Sequence, residues 1–515
     1  MGLRGRHPRR SCAVALPAVL VAVLAFVLVT GEEAAAQETP LQGFDAYVAR
    51  AVAEWDATGL AIAVVKDGAL VFAKGYGVRD LEAGGTVDEH TRFAIGSTTK
   101  AMTAAALGML VDEGKVAWDD PVTKHLPWFE LKDPYLTREI TVRDLLTHRA
   151  GMERTDFLWY ERDTATREVV EKMALVDAAY SLRSSFIYQN IMYATAGEVV
   201  AAVSGMPWTE FVRTRIFQPL GMGETVPLLS ETAGRPNVAR PHHRVDGRTV
   251  AIENASVDPV AAAGSVWSSV TDMSRWLRFL LAGGVTEDGT RLLQEATVEE
   301  LFRPQSFVTP AQFYPTQRVT RPHWMTYGLG WFQHDYRGEK VDFHTGSIDG
   351  MVAIAGLVRD RGVGVYLLAN RDHVEVRHAL MYRVFDAYLG GEARDWSAEI
   401  KELYDGLAAQ GEEARARAER ARVVGTTPSL PLDAYVGRYS HPLYGTLVVR
   451  GGGSGLRADW GPGQPGTLTH WNYDTFRLDY DARWRGSTLG TFILGIDGAV
   501  ASVRIGTMEL RREEG

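Results

Sequence analysis

Between residues 44 and 55 the apolar positions Phe44, Tyr47, Val48, Ala51, Val52 and Trp55 recur at helical spacing, which predicts an amphipathic helix. The period then changes. Residues 60–65 and 69–73 are two short apolar runs joined by Lys66-Asp67-Gly68, and Asp-Gly between such runs predicts a hairpin. From 101 to 111 nearly every position is Ala, Met, Leu, Gly or Val, the pattern of a helix buried on all sides, with Gly114-Lys115 as its stop. Thr141-Val142-Arg143-Asp144 has capping-box spacing ahead of Leu145-Leu146-Thr147-His148 and predicts a short helix. Helical patterns continue to about residue 283: residues 194–203 closed by Gly205, 207–217 opened by Pro207, and 274–282 closed by Gly283-Gly284. Strand-like runs return at 341–345, 351–358 and 362–368, and 376–388 is again helical. A hairpin is not stable alone, so the early hairpin and the late strands are expected to form one antiparallel sheet, flanked by helices and interrupted by a large helical insertion. This is an α+β unit, large enough for two lobes with a cleft between them.

Past residue 396 the character changes twice. Residues 397–422 are rich in Glu, Arg and Ala and read as a solvated helical connector. From about Leu430 short strands punctuated by glycine predict a small all-β barrel, with Gly451-Gly452-Gly453-Ser454-Gly455 as a turn, since no helix follows to make it a phosphate loop. The expected segments are therefore 1–36, 37–396, a connector 397–429 and a β domain 430–515. The first of these carries Arg4, Arg6, Arg9 and Arg10, an apolar run over 12–29 and Ala34-Ala35-Ala36, the layout of a signal peptide cleaved before Gln37. An uncleaved N-terminal membrane anchor is the alternative.

Composition narrows the chemistry. The chain's one cysteine, Cys12, lies in that segment, so an exported chain has no disulfide, thiol nucleophile or cysteine-ligated metal. The whole chain has a formal net charge of −9, and the leader alone is basic, which argues against nucleic acid as a partner. His242-His243 lack a third ligand at metal spacing and read as a loop. Of 55 basic residues only nine are lysine, and one of them, Lys100, sits in the buried helix three residues after Ser97. Ser97 and Lys100 then share one helical face, a hydroxyl beside an amine that can take its proton once burial lowers the lysine pKa. Arginine cannot do this. In Phe186-Ile187-Tyr188-Gln189-Asn190, an extended segment points Tyr188 and Asn190 the same way, and a phenol beside an ammonium has a depressed pKa. In Asp342-Phe343-His344-Thr345-Gly346-Ser347, a strand ends on a glycine that lets another backbone approach.

Ser97-Thr98-Thr99-Lys100, Tyr188-Gln189-Asn190 and His344-Thr345-Gly346, in this order, resemble the three motifs of the penicillin-recognising serine hydrolases, specifically the class C β-lactamase-like group. That group also holds D-alanyl-D-alanine carboxypeptidases, D-aminopeptidases and β-lactamase-fold esterases. Residues 140–151 look like the region such proteins carry between the first two motifs, and the tail resembles an appended lipocalin-like domain. The resemblance implies that Ser97 is acylated, Lys100 and Tyr188 share proton transfer, and Asn190 orients a small-molecule or peptide substrate. It places the oxyanion between the backbone N–H groups of Ser97 and Ser347, with His344, Thr345 and Gly346 lining the substrate site, and calls for no metal or organic cofactor. Histidine at 344, where many relatives have lysine, implies an anchor charged only below about pH 6.5 and hence esterase or D-peptidase activity above β-lactamase activity. A non-catalytic sensor or binding protein on the same fold is the alternative.

Overall fold

The computed structural model describes residues 40–391, 394–452, 455–461 and 464–513. The segment 1–36, expected to be a signal peptide, lies outside the described residues. An eight-stranded antiparallel sheet organises the larger part. Its strands are β1 (Gly59–Lys66), β2 (Ala69–Gly77), β3 (Ser306–Phe307), β4 (Met325–Tyr327), β5 (Phe332–Tyr336), β6 (Glu339–Ile348), β7 (Met351–Val358) and β8 (Val363–Ala369). The spatial order is β2-β1-β8-β7-β6-β5-β4-β3. Leu60 pairs with Ala369 and Lys66 with Val363, so the first hairpin joins the last strand and the helical section is an insertion between them. Asp67 and Gly68 both have positive φ, 47° and 77°, as a tight Asp-Gly hairpin turn requires.

Strands β3 to β5 were not legible as strands. In Phe332–Tyr336 the buried positions include Gln333 and His334, which hide the apolar period. Both are satisfied: Gln333 Nε2 donates to Phe302 O and Asp342 Oδ1, and His334 Nε2 bonds the Tyr382 hydroxyl.

Six helices matter for the site: α1 (Phe44–Glu54), α2 (Thr99–Asp112), α3 (Asn190–Ser204), α4 (Val270–Leu281), α5 (Val376–Leu389) and α6 (Trp396–Arg420). Helices α4 and α5 cover opposite sheet faces. A Cβ on Gly364 would meet Leu277 of α4 and Leu357, whereas one on Gly356 would meet Met381 and Phe385 of α5; Gly356 and Leu357 are consecutive and so face opposite ways. Helix α2 is buried from Thr99 to Leu110, and α3 packs beside it. The predicted capping box is present: Asp144 N–H donates to Thr141 Oγ1 and Thr141 N–H to Asp144 Oδ2, opening a one-turn helix, Val142–Leu145.

Helix α6 begins buried, at Trp396, Ser397 and Ile400, and ends solvated. Beyond it eight antiparallel strands close a barrel: β9 (Gly437–His441), β10 (Gly445–Gly452), β11 (Gly455–Trp460), β12 (Pro465–Asn472), β13 (Thr475–Tyr480), β14 (Ser487–Leu494), β15 (Val500–Ile505) and β16 (Met508–Arg512). Tyr439 pairs with Arg512 to close it, and Tyr435, Tyr439, Phe476 and Phe492 fill its interior. Gly452 pairs with Gly455, so β10 and β11 meet across the glycine-rich stretch. Among the described residues no helix is long and apolar enough to cross a membrane.

Candidate active site

Ser97 stands on a short 3-10 turn, Gly96–Thr98, that feeds directly into α2. The strand before it, Phe93–Ala94, pairs with Trp267–Ser268, and Ile95 N–H donates to Val266 O. Gly96 then turns the chain with φ +53°. Lys100, one turn on, is fully buried. Its Nζ lies 3.1 Å from Ser97 Oγ, 2.7 Å from Asn190 Oδ1 and 2.9 Å from Ala263 O. Burial pushes its pKa well below the ordinary lysine value, and the guanidinium of Arg154 adds to this against the opposing pull of Asp156. A neutral amine has two N–H bonds and one lone pair. The two carbonyl oxygens take the N–H bonds, which leaves the lone pair for the Ser97 hydroxyl.

Asn190 opens α3, with Gln189 as its N-cap. Its amide is fixed at both ends, Oδ1 on Lys100 and Nδ2 on Asp156 Oδ1 at 2.8 Å. Sequence reasoning missed Asp156, which lies in a loop without a periodic signal. Tyr188 and Ser97 line the same cavity, and the Tyr188 ring lies 4.8 Å from Lys100 Nζ. Here one expectation is corrected. The Tyr188 pKa is raised well above 10, not depressed, because burial disfavours the phenolate, and Tyr314, Tyr193 and Asp156 add to this against a lowering by Ser97.

The third motif closes the site from β6. Gly346 and Gly96 meet backbone to backbone: a Cβ on Gly346 would fall 1.9 Å from Ile95 O, and one on Gly96 2.7 Å from Ser347 N. This brings the turn carrying Ser97 and the end of β6 carrying Ser347 together at one junction. Thr345 Oγ1 pairs with the Tyr314 hydroxyl at 2.6 Å. Arg377, also not foreseen, is buried behind the motif, where its Nη1 donates to Gly346 O, Ala353 O and Ser347 Oγ and Glu375 neutralises it. His344 overturns the expected conditional anchor. It is 1% exposed; its Nδ1–H donates to Thr345 O and its Nε2 accepts from the Tyr327 hydroxyl. Burial, with Lys100 nearby, lowers its pKa to about 3, so it stays neutral at any physiological pH. His242-His243 are in a short strand, His242–Val245, not a loop; His242 bonds Leu81 N–H and Asn370 O, and His243 faces Asp372.

A profile of the Beta-lactamase family matches residues 44–388. The chain belongs to this family. A domain of unknown function (DUF3471) matches residues 421–514, the barrel. The unguisins hydrolase of Aspergillus violaceofuscus (strain CBS 115571) is 30% identical over 451 residues, spanning 80% of this chain and 77% of its own. Penicillin-binding protein 4 of Amycolatopsis lactamdurans is 30% identical over 316 residues, 61% of this chain and 80% of its own. Among solved structures, the octameric penicillin-binding protein homologue from Pyrococcus abyssi shares the fold with a TM-score of 0.59 at 23% identity, covering 91% of this chain and 99% of the other. In broad class this β-lactamase-family chain is a serine hydrolase.

Ser97, Tyr188, Asn190, His344, Thr345 and Ser347 all line one cavity of about 630 Å³. Trp159 and Tyr160 form part of its wall, on a loop that the barrel holds from behind. Arg162 Nη2 donates to Tyr444 O, Phe157 packs edge-on against Tyr444, and Arg485 pairs with Glu161 beside the Tyr160 ring. Tyr160 in turn donates to Asp349 at the cavity. Arg485→Ala is therefore expected to raise KM for a peptide-sized substrate about three- to tenfold while changing turnover of a small ester less than about twofold. Steady-state kinetics with both substrates checks this.

Proposed function

We propose that this chain is an exported hydrolase that cleaves an ester, amide or peptide bond through an acyl-enzyme on Ser97, acting as an esterase or D-amino-acid peptidase in preference to a β-lactamase. The observation that carries the reading is the fully buried Lys100 amine, held by Asn190 Oδ1 and Ala263 O with its Nζ 3.1 Å from Ser97 Oγ. Lys100 takes the hydroxyl proton as Ser97 Oγ attacks the substrate carbonyl. The N–H groups of Ser97 and Ser347 stabilise the oxyanion, each contributing about 3 kcal/mol. Tyr188 keeps its proton in the resting site and relays one to the leaving group as the tetrahedral intermediate collapses. In the second half, water loses its proton along the same Tyr188–Lys100 path, attacks the acyl carbon and restores Ser97. Hydrolysis is supported by the relative named unguisins hydrolase, which this chain resembles over most of both lengths.

The preference against β-lactams follows from His344. A neutral imidazole buried beneath the third motif offers no fixed cation to a substrate carboxylate. Its folded pKa of about 3 lies below the unfolded value, so between about pH 5.5 and 8 its charge does not change. In a His373→Gln background, needed because His373 lines the same cavity and Asp372 raises its pKa, the ratio of kcat/KM for a carboxylate-bearing ester to that for its neutral analogue is expected to stay flat across this range. A ratio that climbs as pH falls through about 6.5 would contradict the buried assignment. With the same enzyme, a neutral p-nitrophenyl ester is expected to exceed a cephalosporin in kcat/KM by at least about tenfold.

A further inference from the structure

His148 has no role in the chemistry above, yet few residues are held more firmly. It is fully buried and adopts φ +56°, a left-handed conformation uncommon for a histidine. The turn that carries it is braced from several sides. Arg149 and Arg183 both bond the buried carboxylate of Asp144, Arg183 N–H donates to Arg149 O, and Ser306 Oγ donates to Thr147 O.

What this conformation achieves is a double grip on the segment carrying Tyr188. His148 O accepts the N–H of Ile187 at 2.9 Å, and His148 Nδ1 accepts the N–H of Gln189 at 3.1 Å. These are the two amides flanking Tyr188. The imidazole also packs on the phenol itself, with ring centroids 4.2 Å apart, and Tyr327 closes the other contact at 4.7 Å. Because Nδ1 is an acceptor, a neutral ring must carry its proton on Nε2, and that nitrogen has no hydrogen-bond partner among the described residues. The cationic form would lose the Gln189 bond and bring a second charge near Lys100, His344 and Arg154, the charged or titratable groups that act on this ring.

We propose that His148 is the positioning residue of the site: in one neutral tautomer it fixes both amides flanking Tyr188 and the plane of its ring, and so sets the approach of the Tyr188 hydroxyl to Ser97. This rests on the proton-relay role proposed for Tyr188. Asparagine is the informative replacement, since it tolerates positive φ and keeps an acceptor but removes the ring.

The test is a double-mutant cycle on the full chain, read as the second-order rate of Ser97 labelling by a small fluorophosphonate. His148→Asn is expected to slow labelling about tenfold or more in the wild-type background, with KM for a small ester within about twofold, and less than about twofold in a Tyr188→Phe background. Equal losses in the two backgrounds, or no loss in the first, would overturn the proposal. If Tyr188→Phe itself labels at the wild-type rate while His148→Asn does not, the relay reading fails separately from the positioning one. The unmodified protein supplies a second readout that does not depend on any variant folding. In ¹⁵N-histidine NMR, with the ring assigned through its contacts to Tyr188, His148 is expected to show a protonated Nε2 and a bare Nδ1 from about pH 6 to 8. A protonated Nδ1, or titration within that range, would overturn the grip on Gln189.

Discussion

Lys100→Arg is expected to slow acylation of Ser97 by about 10²–10⁴-fold, the range lost when a positioned general base is removed. The guanidinium cannot give up its proton, so the lone pair that faces Ser97 Oγ at 3.1 Å disappears. The substitution also places a permanent charge where burial favours a neutral amine. Asp156, held away behind Asn190 and already paired with Arg154, is poorly placed to compensate it. A stability loss of about 3 kcal/mol is therefore expected alongside the kinetic one. Lys100→Met separates the two effects. It is uncharged and similar in volume, so it loses the base without burying a charge, at a stability cost of about 1–3 kcal/mol for leaving Asn190 Oδ1 and Ala263 O without their donor. Labelling rates and thermal melts of both variants check this, and a fully active Lys100→Arg protein would show that the lysine carries no proton.

Gly346→Ala is expected to have the second-largest effect. The added methyl would lie 1.9 Å from Ile95 O, a backbone atom that no side-chain rotation can move aside. Either β6 or the Ile95–Gly96 turn has to shift, and Arg377 resists movement on one side because it holds Gly346 O at 2.7 Å. The amides of Ser97 and Ser347 then lose their common aim. A loss of about 10²–10³ in kcat with KM little changed is expected, as when an oxyanion donor is withdrawn. Overpacking should also cost about 1–3 kcal/mol in stability. Near-normal kcat in a folded Gly346→Ala protein would remove Ser347 from the proposed oxyanion site.

The elements legible in the sequence are those whose apolar period survives burial. The Asp67-Gly68 hairpin, the all-apolar α2 and the Thr141–Asp144 capping box each follow from local rules, and each is present. Strands β3 and β4 are only two and three residues long, and in β5 the buried polar Gln333 and His334, satisfied by Phe302, Asp342 and Tyr382, interrupt the apolar pattern. The three motifs and their order were visible, but not what burial does to them. Burial lowers the pKa of an amine and raises that of a phenol, so the lowered Lys100 pKa that the sequence implies is present, whereas the depressed Tyr188 pKa gives way to a raised one. The same cause turned His344 from a conditional cation into a neutral imidazole. Asp156 and Arg377 left no signal, since each acts through a contact made only in three dimensions, on Asn190 and on the Gly346 carbonyl.

The most direct test of the central claim is to treat the full chain with a fluorophosphonate or a fluorescent penicillin and map the modified residue by peptide mass spectrometry. One adduct per chain is expected on the peptide containing Ser97, and none in Ser97→Ala, which should keep its fold because the lost hydroxyl is a local contact. An adduct on Ser347, the other serine lining the cavity, stoichiometric labelling of Ser97→Ala, or no adduct with either probe would contradict the assignment.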